Sequence, residues 1–274
     1  MWDVQLGMTE TSTLQAKWEV PEHVIAEFGP KRFDYCLCIP VINEGDRIAA
    51  QLFQMKCVGV MECADVIIAD GGSTDGSLSE ENLRFVGVRT LLTKTGSGKL
   101  SAQLRMAYAY ALSQNYKGVI TMDGNNKDLA DSITHFIAEL KKGTDLVQGS
   151  RWLPGGRAEN TPLARVLAIR LLHAPAVSLA AGCPYTDTTN GFRAYSAKLL
   201  LDERVSPFRN VFETYELLPY LNIRAPRLGY RVKEIPVARL YPKGKVPTKI
   251  GGVRSYISLL EILWAAVRGQ YDPH

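Results

Sequence analysis

The chain has 274 residues, 46% of them hydrophobic and 22% charged, which fits one large soluble α/β domain or two small ones. Its formal charge of +4 comes from 32 basic and 28 acidic residues mixed along most of the sequence, which argues against a nucleic-acid partner. The N-terminus shows no signal-peptide pattern, and no stretch of about 18 consecutive apolar residues occurs, so we predict a cytoplasmic protein without a membrane-spanning helix. The cysteines lack CxxC spacing, which predicts reduced thiols.

Short apolar runs alternate with longer amphipathic segments after a polar N-terminal appendage over residues 1–30. The appendage contains a possible short helix from Pro21 to Phe28. The predicted strands are YCLCIPV, DVIIAD, VRTLL, GVITMD and DLVQGS, and a helix is predicted after each of the first four. This alternation indicates βαβ units and a doubly wound, mainly parallel, Rossmann-like sheet, with ligands beyond the carboxyl ends of its strands.

The alternation ends after Arg151. A Gly/Pro-rich loop precedes a long helix predicted from about Leu163 to Ala181, and the segment after it contains the loop CPYTDTTNGFRAYS. A helix around VFETYELLPYLN, a strand YRVKEIPV, a basic loop YPKGKVPTKIGG and a terminal helix follow. We predict one domain over residues 31–253, whose later part forms the acceptor side of the cleft, and a C-terminal amphipathic helix over residues 254–274.

Two glycine-containing loops follow predicted strands. TGSGKLS at residues 95–101 lacks the glycine at position 93 and the Ser or Thr after Lys99 that a Walker-type loop requires. It is predicted to be a mobile turn whose amides and Lys99 face a ligand. In ADGGSTDGS, Asp70 ends a strand and suits ribose hydroxyls or a base edge, while Asp75 is predicted to cap the next helix.

The loops together resemble a known enzyme family. IPVINEGDRI, VIIADGGSTDGS, KTGSGKLSAQ, MDGNNKD, LVQGSRWLPGG, ENTPLAR, DTTNGFRAYS and EIPV occur in the order and approximate spacing of family 2 glycosyltransferases of the GT-A fold. The most similar branch is the dolichyl-phosphate or polyprenyl-phosphate mannose synthase type, and the resemblance covers about residues 33–250. It implies a nucleotide-sugar donor, a divalent metal that bridges the diphosphate to a D-x-D motif, and transfer that is often to a lipid phosphate.

The resemblance implies donor-binding residues at the strand ends, namely Pro40, Asn43, Glu44, Asp70, Lys99, Asp123 and Lys127. Asp123 matches the first acid of the D-x-D motif and Asn125 stands at the second, so these two are the predicted metal ligands. Because Asn125 offers only a neutral oxygen, we expect Mg²⁺ or Mn²⁺ to bind weakly until donor phosphates complete the shell. Lys127 replaces a common glutamine and either offsets diphosphate charge or is a solvated turn lysine. Asp128 is expected to cap the following helix.

On the acceptor side, the resemblance implies that Arg151 and Arg165 bind the acceptor phosphate, with surface ion pairing as the alternative. Asp187, Asn190 and Arg193 match a loop that closes over the acceptor, with a rigid corner as the alternative. Asp187 is the first candidate for a general base if the acceptor is a hydroxyl, ahead of Glu213 and Glu216. A phosphate acceptor is already anionic and requires no strong base.

The terminal stretch SYISLLEILWAAVRG places Ile257, Leu260, Trp264 and Val267 on one helical stripe, preceded by a basic loop. The stripe either packs in the core or binds the membrane surface peripherally, at its cytoplasmic face. The predicted function is transfer of a sugar from a nucleoside-diphosphate sugar to an acceptor such as a polyprenyl phosphate. A sugar nucleotidyltransferase and a non-catalytic sugar-nucleotide-binding protein remain alternatives.

Overall fold

The computed structural model describes residues 17–242 and 253–273. The strands are β1 His23–Glu27, β2 Tyr35–Val41, β3 Asp65–Asp70, β4 Thr90–Lys94, β5 Gly118–Thr121, β6 Leu146–Ser150, β7 Arg157–Glu159, β8 Arg193–Ser196, β9 Val232–Pro236 and β10 Ala238–Leu240. The α-helices are α1 Asp46–Cys57, α2 Glu80–Val86, α3 Leu100–Ser113, α4 Ile133–Lys141, α5 Leu163–Leu167, α6 Ala174–Ala181, α7 Ala197–Leu201, α8 Leu217–Arg227 and α9 Val253–Val267.

Eight strands form a central sheet in the order β1-β4-β3-β2-β5-β8-β6-β9. The strands β4, β3, β2 and β5 run parallel, as do β6 and β9, whereas β8 is antiparallel to both of its neighbours. Val41 pairs with Asp70, and Asp70 pairs with Thr93, so the carboxyl ends of the first three parallel strands meet at one edge. The predicted mainly parallel α/β sheet is confirmed.

Helices cover both faces of this sheet, which explains the nearly continuous apolar runs of β2 and β3. On one face, Leu37, Ile39 and Val41 join a core formed with α1, α2 and α4. On the other, Cys36 and Cys38 join a core formed with α3, α7 and α8. Because both faces are buried, the polar residues that follow these strands are the ones left at the sheet edge.

The prediction of a short helix from Pro21 to Phe28 is wrong. Residues His23–Glu27 form an edge strand that is antiparallel to β4, with His23 opposite Lys94 and Glu27 opposite Thr90. An edge strand carries unpaired backbone N–H and C=O groups, and β1 satisfies those of β4. This part of the predicted appendage therefore completes the sheet, while residues 1–16 lie outside the described part of the chain.

The long helix predicted from Leu163 to Ala181 consists of α5, a π-helical segment over Ala168–His173 and α6. Its 19 residues have a mean hydropathy of 1.5, and by length and composition they are apolar enough to cross a bilayer. The sequence shows no unbroken apolar run here because Arg165 and Arg170 interrupt it, and the absence of a membrane-spanning helix stays a prediction. Most of the helix surface is exposed, including Leu163, Leu171 and Leu179.

The terminal helix α9 buries Ile262, Leu263 and Ala266, and the last two pack with Val177 of α6. Ile257, Leu260 and Trp264 are about half exposed, with values of 50%, 49% and 55%. The core interpretation of these three is therefore wrong, since the buried stripe lies on another side of the helix. The lysines of the preceding basic loop, Lys243, Lys245 and Lys249, lie outside the described residues.

Candidate active site

A cavity of 340 Å³ lies beside the carboxyl ends of β3 and β4. Its lining residues are Asp70, Ser73, Gly76, Leu78, Ser79, Leu91 and Thr93. Oδ1 of Asp70 accepts hydrogen bonds from the backbone N–H of Ser73 at 2.8 Å and from its hydroxyl at 2.6 Å. These bonds fix the carboxylate in the cavity wall, where an acceptor for ribose or base hydrogens was predicted.

Asn43 connects the loop after β2 to the loop after β3. Its φ is +47°, its N–H donates to Oγ of Ser73 at 3.0 Å, and its Oδ1 accepts from the N–H of Thr74 at 2.8 Å. Glu44 forms an ion pair with Arg47 at 2.8 Å. The loops after β2 and β3 are therefore held together by Asn43, one of the residues that the resemblance predicts to contact the nucleoside.

Asp75 does not cap α2, contrary to prediction. The helix begins later, and its N-cap is Ser79, whose hydroxyl accepts from the N–H of Asn82. Oδ2 of Asp75 instead accepts from the N–H of Gly45 at 2.8 Å, which provides another tie between the two loops.

The glycine loop before α3 is fixed at both ends, whereas a mobile turn was predicted. The N–H groups of Thr95 and Gly96 donate to the carbonyl of Glu22 at 2.8 and 2.9 Å, and that of Lys99 donates to the carbonyl of Glu213 at 2.7 Å. The side chain of Lys99 is exposed. The loop thus positions Lys99 beside the segment that carries Glu213.

Asp123 follows β5 and lies next to β2. The N–H of Gly124 donates to the carbonyl of Pro40 at 3.3 Å, and a Cβ at Gly124 would come within 3.1 Å of that oxygen. Gln51 fixes the turn further, because its amide N–H donates to the carbonyl of Asp123 at 3.0 Å and its Oε1 accepts from the N–H of Asn126 at 2.6 Å. Pro40 is buried and therefore supports the Asp123 turn through its backbone.

Arg239, which was not singled out from the sequence, binds two acids of this turn. Its Nη2 is 2.9 Å from Oδ2 of Asp123, and its Nη1 pairs with Oδ2 of Asp128. The prediction that Asp128 caps the following helix is wrong, since the 3₁₀ turn Ala130–Ser132 has Leu129 at its N-cap and no side-chain cap. Burial raises the pKa of Asp128 to about 6, although the guanidinium opposes this shift.

The oxygens at this turn fit a divalent cation with few protein ligands. Oδ1 of Asn125 is buried and has no hydrogen-bond partner, while its Nδ2 lies 3.4 Å from Oδ2 of Asp123. An unpartnered buried carbonyl oxygen beside a carboxylate suits Mg²⁺ or Mn²⁺. Among residues 17–242 and 253–273, no three His, Cys, Asp or Glu side chains are grouped to hold a metal. A cation bound at this turn would take further oxygens from a ligand or from water.

Arg151 and Asp187 form a buried two-point ion pair. Nε of Arg151 lies 2.6 Å from Oδ2 of Asp187, and Nη2 lies 2.9 Å from Oδ1. Asp187 also accepts from the N–H of Thr189 at 3.3 Å, and its own N–H donates to Glu234 at 3.0 Å. A carboxylate engaged in this way is poorly placed to take a proton from an acceptor, so the geometry favours a positioning role for both residues.

Arg193 is 1% exposed, and its guanidinium donates hydrogen bonds to oxygens inside the protein. Its guanidinium reaches the carbonyls of Asn190 and Thr188 at 2.8 Å each, the carbonyl of Leu218 at 2.9 Å and Oδ1 of Asn222 at 2.8 Å. These contacts favour the rigid-corner interpretation of the DTTNGFR loop. They position the loop and leave Arg193 away from any ligand that enters from solvent.

Gly191 of the same loop lies against the carboxylate of Asp123. A Cβ added at Gly191 would overlap Oδ1 of Asp123 and would lie 3.1 Å from its Cγ. Any larger residue at position 191 would require the Asp123 carboxylate to move. Glycine at residue 191 thus permits the orientation in which Asp123 meets Arg239.

Three cations surround Tyr241. Nζ of Lys127 lies 5.1 Å from the ring centroid, and the guanidinium carbons of Arg165 and Arg239 lie 5.7 and 5.6 Å from it. Nη1 of Arg165 also donates to the Tyr241 hydroxyl at 3.0 Å. Burial raises the pKa of Tyr241, but Arg239 and Arg165 outweigh it, so the net pKa lies below its ordinary value. We refer to Lys127, Arg165 and Arg239 around Tyr241 as the cation cluster; such a group suits an anionic phosphate.

No family model matches the chain. It is 24% identical over 210 residues to polyprenol monophosphomannose synthase of Mycolicibacterium smegmatis, covering 76% of this chain and 78% of that protein. It is 26% identical over 202 residues to undecaprenyl-phosphate mannosyltransferase of Micrococcus luteus, covering 73% of this chain and 80% of that protein. These relatives confirm the resemblance to polyprenyl-phosphate mannose synthases that the loops predicted.

The fold is similar to that of glucosyl-3-phosphoglycerate synthase from Mycobacterium tuberculosis. The structure of that protein with uridine diphosphate has a TM-score of 0.60 at 16% identity, covering 97% of this chain and 85% of that one. A second structure, with Mn²⁺, uridine diphosphate and phosphoglyceric acid, has a TM-score of 0.56 at 16% identity. The similarity covers 95% of this chain and 82% of that one. The predicted GT-A fold is confirmed by this similarity.

Proposed function

We propose that this glycosyltransferase of the GT-A fold transfers a sugar from a nucleoside-diphosphate sugar to an acceptor phosphate, with a polyprenyl phosphate as the first candidate. The observation that carries the proposal is the position of Asp123. It lies at the same sheet edge as the cavity beside Asp70, and Arg239 connects it to the cation cluster. A donor and an anionic acceptor can therefore meet at one carboxylate.

In this proposal, Asp70 binds the nucleoside, and Asp123 and Asn125 would hold a divalent ion whose charge would stabilise the departing diphosphate. An oxygen of the acceptor phosphate attacks the anomeric carbon, the bond from that carbon to the donor phosphate breaks, and the nucleoside diphosphate leaves. The cation cluster orients the acceptor phosphate, with Arg165 at its outer side. No general base is needed, which agrees with the full engagement of Asp187 by Arg151.

A membrane contact follows from the same acceptor. Arg165 belongs to the helix that exposes Leu163, Leu171 and Leu179, so an acceptor phosphate bound by Arg165 lies next to an apolar surface. Exposed leucines of this kind are typical of membrane-binding surfaces. We propose peripheral docking at the cytoplasmic face of the membrane, with α9 contributing Ile257, Leu260 and Trp264.

The proposal is tested first by a thermal-shift panel of nucleoside diphosphates and nucleotide sugars, with and without Mn²⁺. A ligand present at 100 times its Kd adds about 2.7 kcal/mol to the free energy of unfolding. The donor selected is then incubated with polyprenyl phosphate or with phosphoglyceric acid, and the products are identified by mass spectrometry. We expect a sugar–phosphate product with the lipid.

Asp123→Asn should reduce transfer strongly, while Asp131→Asn, a change at an exposed acid in the same region, should not. Donor binding without transfer to any acceptor would favour a sugar-nucleotide-binding protein. Release of pyrophosphate from a nucleoside triphosphate would instead identify a nucleotidyltransferase.

A further inference from the structure

Arg239 holds the carboxylate to which the proposed metal would bind. It is 7% exposed, and its guanidinium spans Asp123 and Asp128. The backbone fixes it in place, because the N–H of Leu240 donates to the carbonyl of Lys127 at 2.7 Å and the N–H of Leu129 donates to the carbonyl of Ala238 at 3.1 Å. The guanidinium is therefore a built-in part of the Asp123 turn.

A divalent cation at Asp123 must share the carboxylate with this guanidinium. Two like-charged groups that compete for one half-buried carboxylate repel each other more strongly than they would in water, because the effective dielectric constant is lower. Lys127 adds a further positive charge in the same cluster. An incoming diphosphate would bring negative charge close to both the cation and Arg239, and this would lower the cost of their repulsion.

We propose that Arg239 makes metal binding dependent on the donor: it weakens the affinity of Asp123 for a divalent cation until the donor diphosphate is present. Arg239 acts through Asp123 and is thus a positioning residue that imposes an order of binding. This inference rests on the proposed function, since it requires Asp123 to be the metal ligand. It assigns a role to a side chain that is far from Asp123 in sequence.

The test measures Mn²⁺ binding to the full chain by the loss of the electron paramagnetic resonance signal of free Mn²⁺, without nucleotide. Arg239→Gln should lower the Mn²⁺ Kd by about tenfold or more, since a full adjacent charge is removed. Arg165→Gln is the matched control: it removes a guanidinium from the same ring of Tyr241 without touching Asp123, and should change the Kd much less.

Asp128→Asn provides an independent measurement if the Arg239 variant does not fold. Arg239 would then keep only one acid, Asp123, so Mn²⁺ binding should become weaker, by about threefold or more. Equal Mn²⁺ affinities of wild type, Arg239→Gln and Asp128→Asn would overturn the inference, as would equal tightening by Arg239→Gln and Arg165→Gln.

The same titrations with uridine diphosphate and with guanosine diphosphate separate the inference from the proposed function. In the wild type, the nucleotide that binds should tighten Mn²⁺ binding, and this gain should be smaller in Arg239→Gln. If a nucleotide binds but the gain is unchanged, Arg239 has no such role. If neither the nucleotides nor the sugar nucleotides of the thermal-shift panel bind, the proposed function itself fails.

Discussion

Arg151 and Asp187 are joined by a buried ion pair in which Nε–Oδ2 and Nη2–Oδ1 are 2.6 and 2.9 Å apart. Their side chains are 2% and 0% exposed, so the pair is shielded from solvent screening. The two residues are 36 positions apart, and the pair fixes the DTTNGFR loop against the end of β6. Removing either partner would leave the other charge buried and unpaired.

Arg151→Ala should destabilise the protein by about 3 to 5 kcal/mol, because it leaves the Asp187 carboxylate buried and unpaired. The control is Arg157→Ala, whose ion pair with Glu159 is exposed and spans 3.8 Å, and which should cost less than about 1 kcal/mol. Denaturant unfolding of both variants measures the difference. A stable Arg151→Ala protein that has lost only acceptor use would instead restore the acceptor role predicted from the sequence.

Arg165→Ala should raise the KM for the acceptor and leave the donor Kd unchanged, because Arg165 donates to Tyr241 in the cation cluster that we propose binds the acceptor phosphate. Loss of a charge-assisted contact costs about 1.5 to 3 kcal/mol, which corresponds to roughly 10-fold to 150-fold. Arg170→Ala, at an exposed arginine of the same helix, is the control. Steady-state kinetics and donor titration decide the outcome, and a weakened donor Kd would contradict the assignment.

Gly191→Ala should displace the Asp123 carboxylate, since the added methyl group would overlap Oδ1. We expect a loss of stability of about 1 to 3 kcal/mol together with weaker donor binding in Mn²⁺. Gly29→Ala is the control, because a Cβ at this position would have no atom within 4 Å and the backbone of Gly29 does not have a positive φ. The prediction fails if donor titrations of Gly191→Ala and Gly29→Ala give the same affinity.

His173 should make the folded state less stable in acid. Its Nδ1 hydrogen-bonds with Oγ1 of Thr188 at 2.7 Å, and burial followed by the charge of Arg193 lowers its pKa to about 4. The unfolded chain binds a proton near pH 6.5, so stability is complete above that pH and is lost as the pH falls toward 4, by at most about 3 kcal/mol. His173→Gln should flatten this loss in unfolding curves measured between pH 4 and 7. His135→Gln, at an exposed histidine, should leave it unchanged.

Replacing Leu171 and Leu179 together by serine should abolish flotation of the protein with vesicles that contain anionic lipids. Each leucine that enters the apolar layer contributes about 1.5 to 3 kcal/mol, so the partition coefficient should fall by far more than tenfold. Phe85→Ser, at an exposed apolar residue on α2, is the control. High salt should weaken the binding of wild type by screening its basic residues. A wild-type protein that never floats would contradict the membrane contact.

The sequence by itself determined the layers of the fold and one edge of the site. The apolar runs of β2 and β3 predict buried strands from sequence alone, because a strand covered on both faces needs apolar side chains at successive positions. The position of Asp123 follows from the end of such a run. Because ligands bind at the carboxyl ends of parallel strands, the sequence also predicts that Asp70 and Asp123 lie at one edge of the sheet.

The tertiary structure alone decided which partners those residues have. Arg239 reaches Asp123 and Asp128 across more than 100 positions, so no local pattern distinguishes Asp128 as an ion-pair partner from a helix cap. The strand His23–Glu27 likewise forms because β4 offers it an edge, and the exposure of Leu171 depends on what packs beside its helix. Local sequence specifies burial and periodicity, whereas pairing between distant segments is set by the packing of the whole chain.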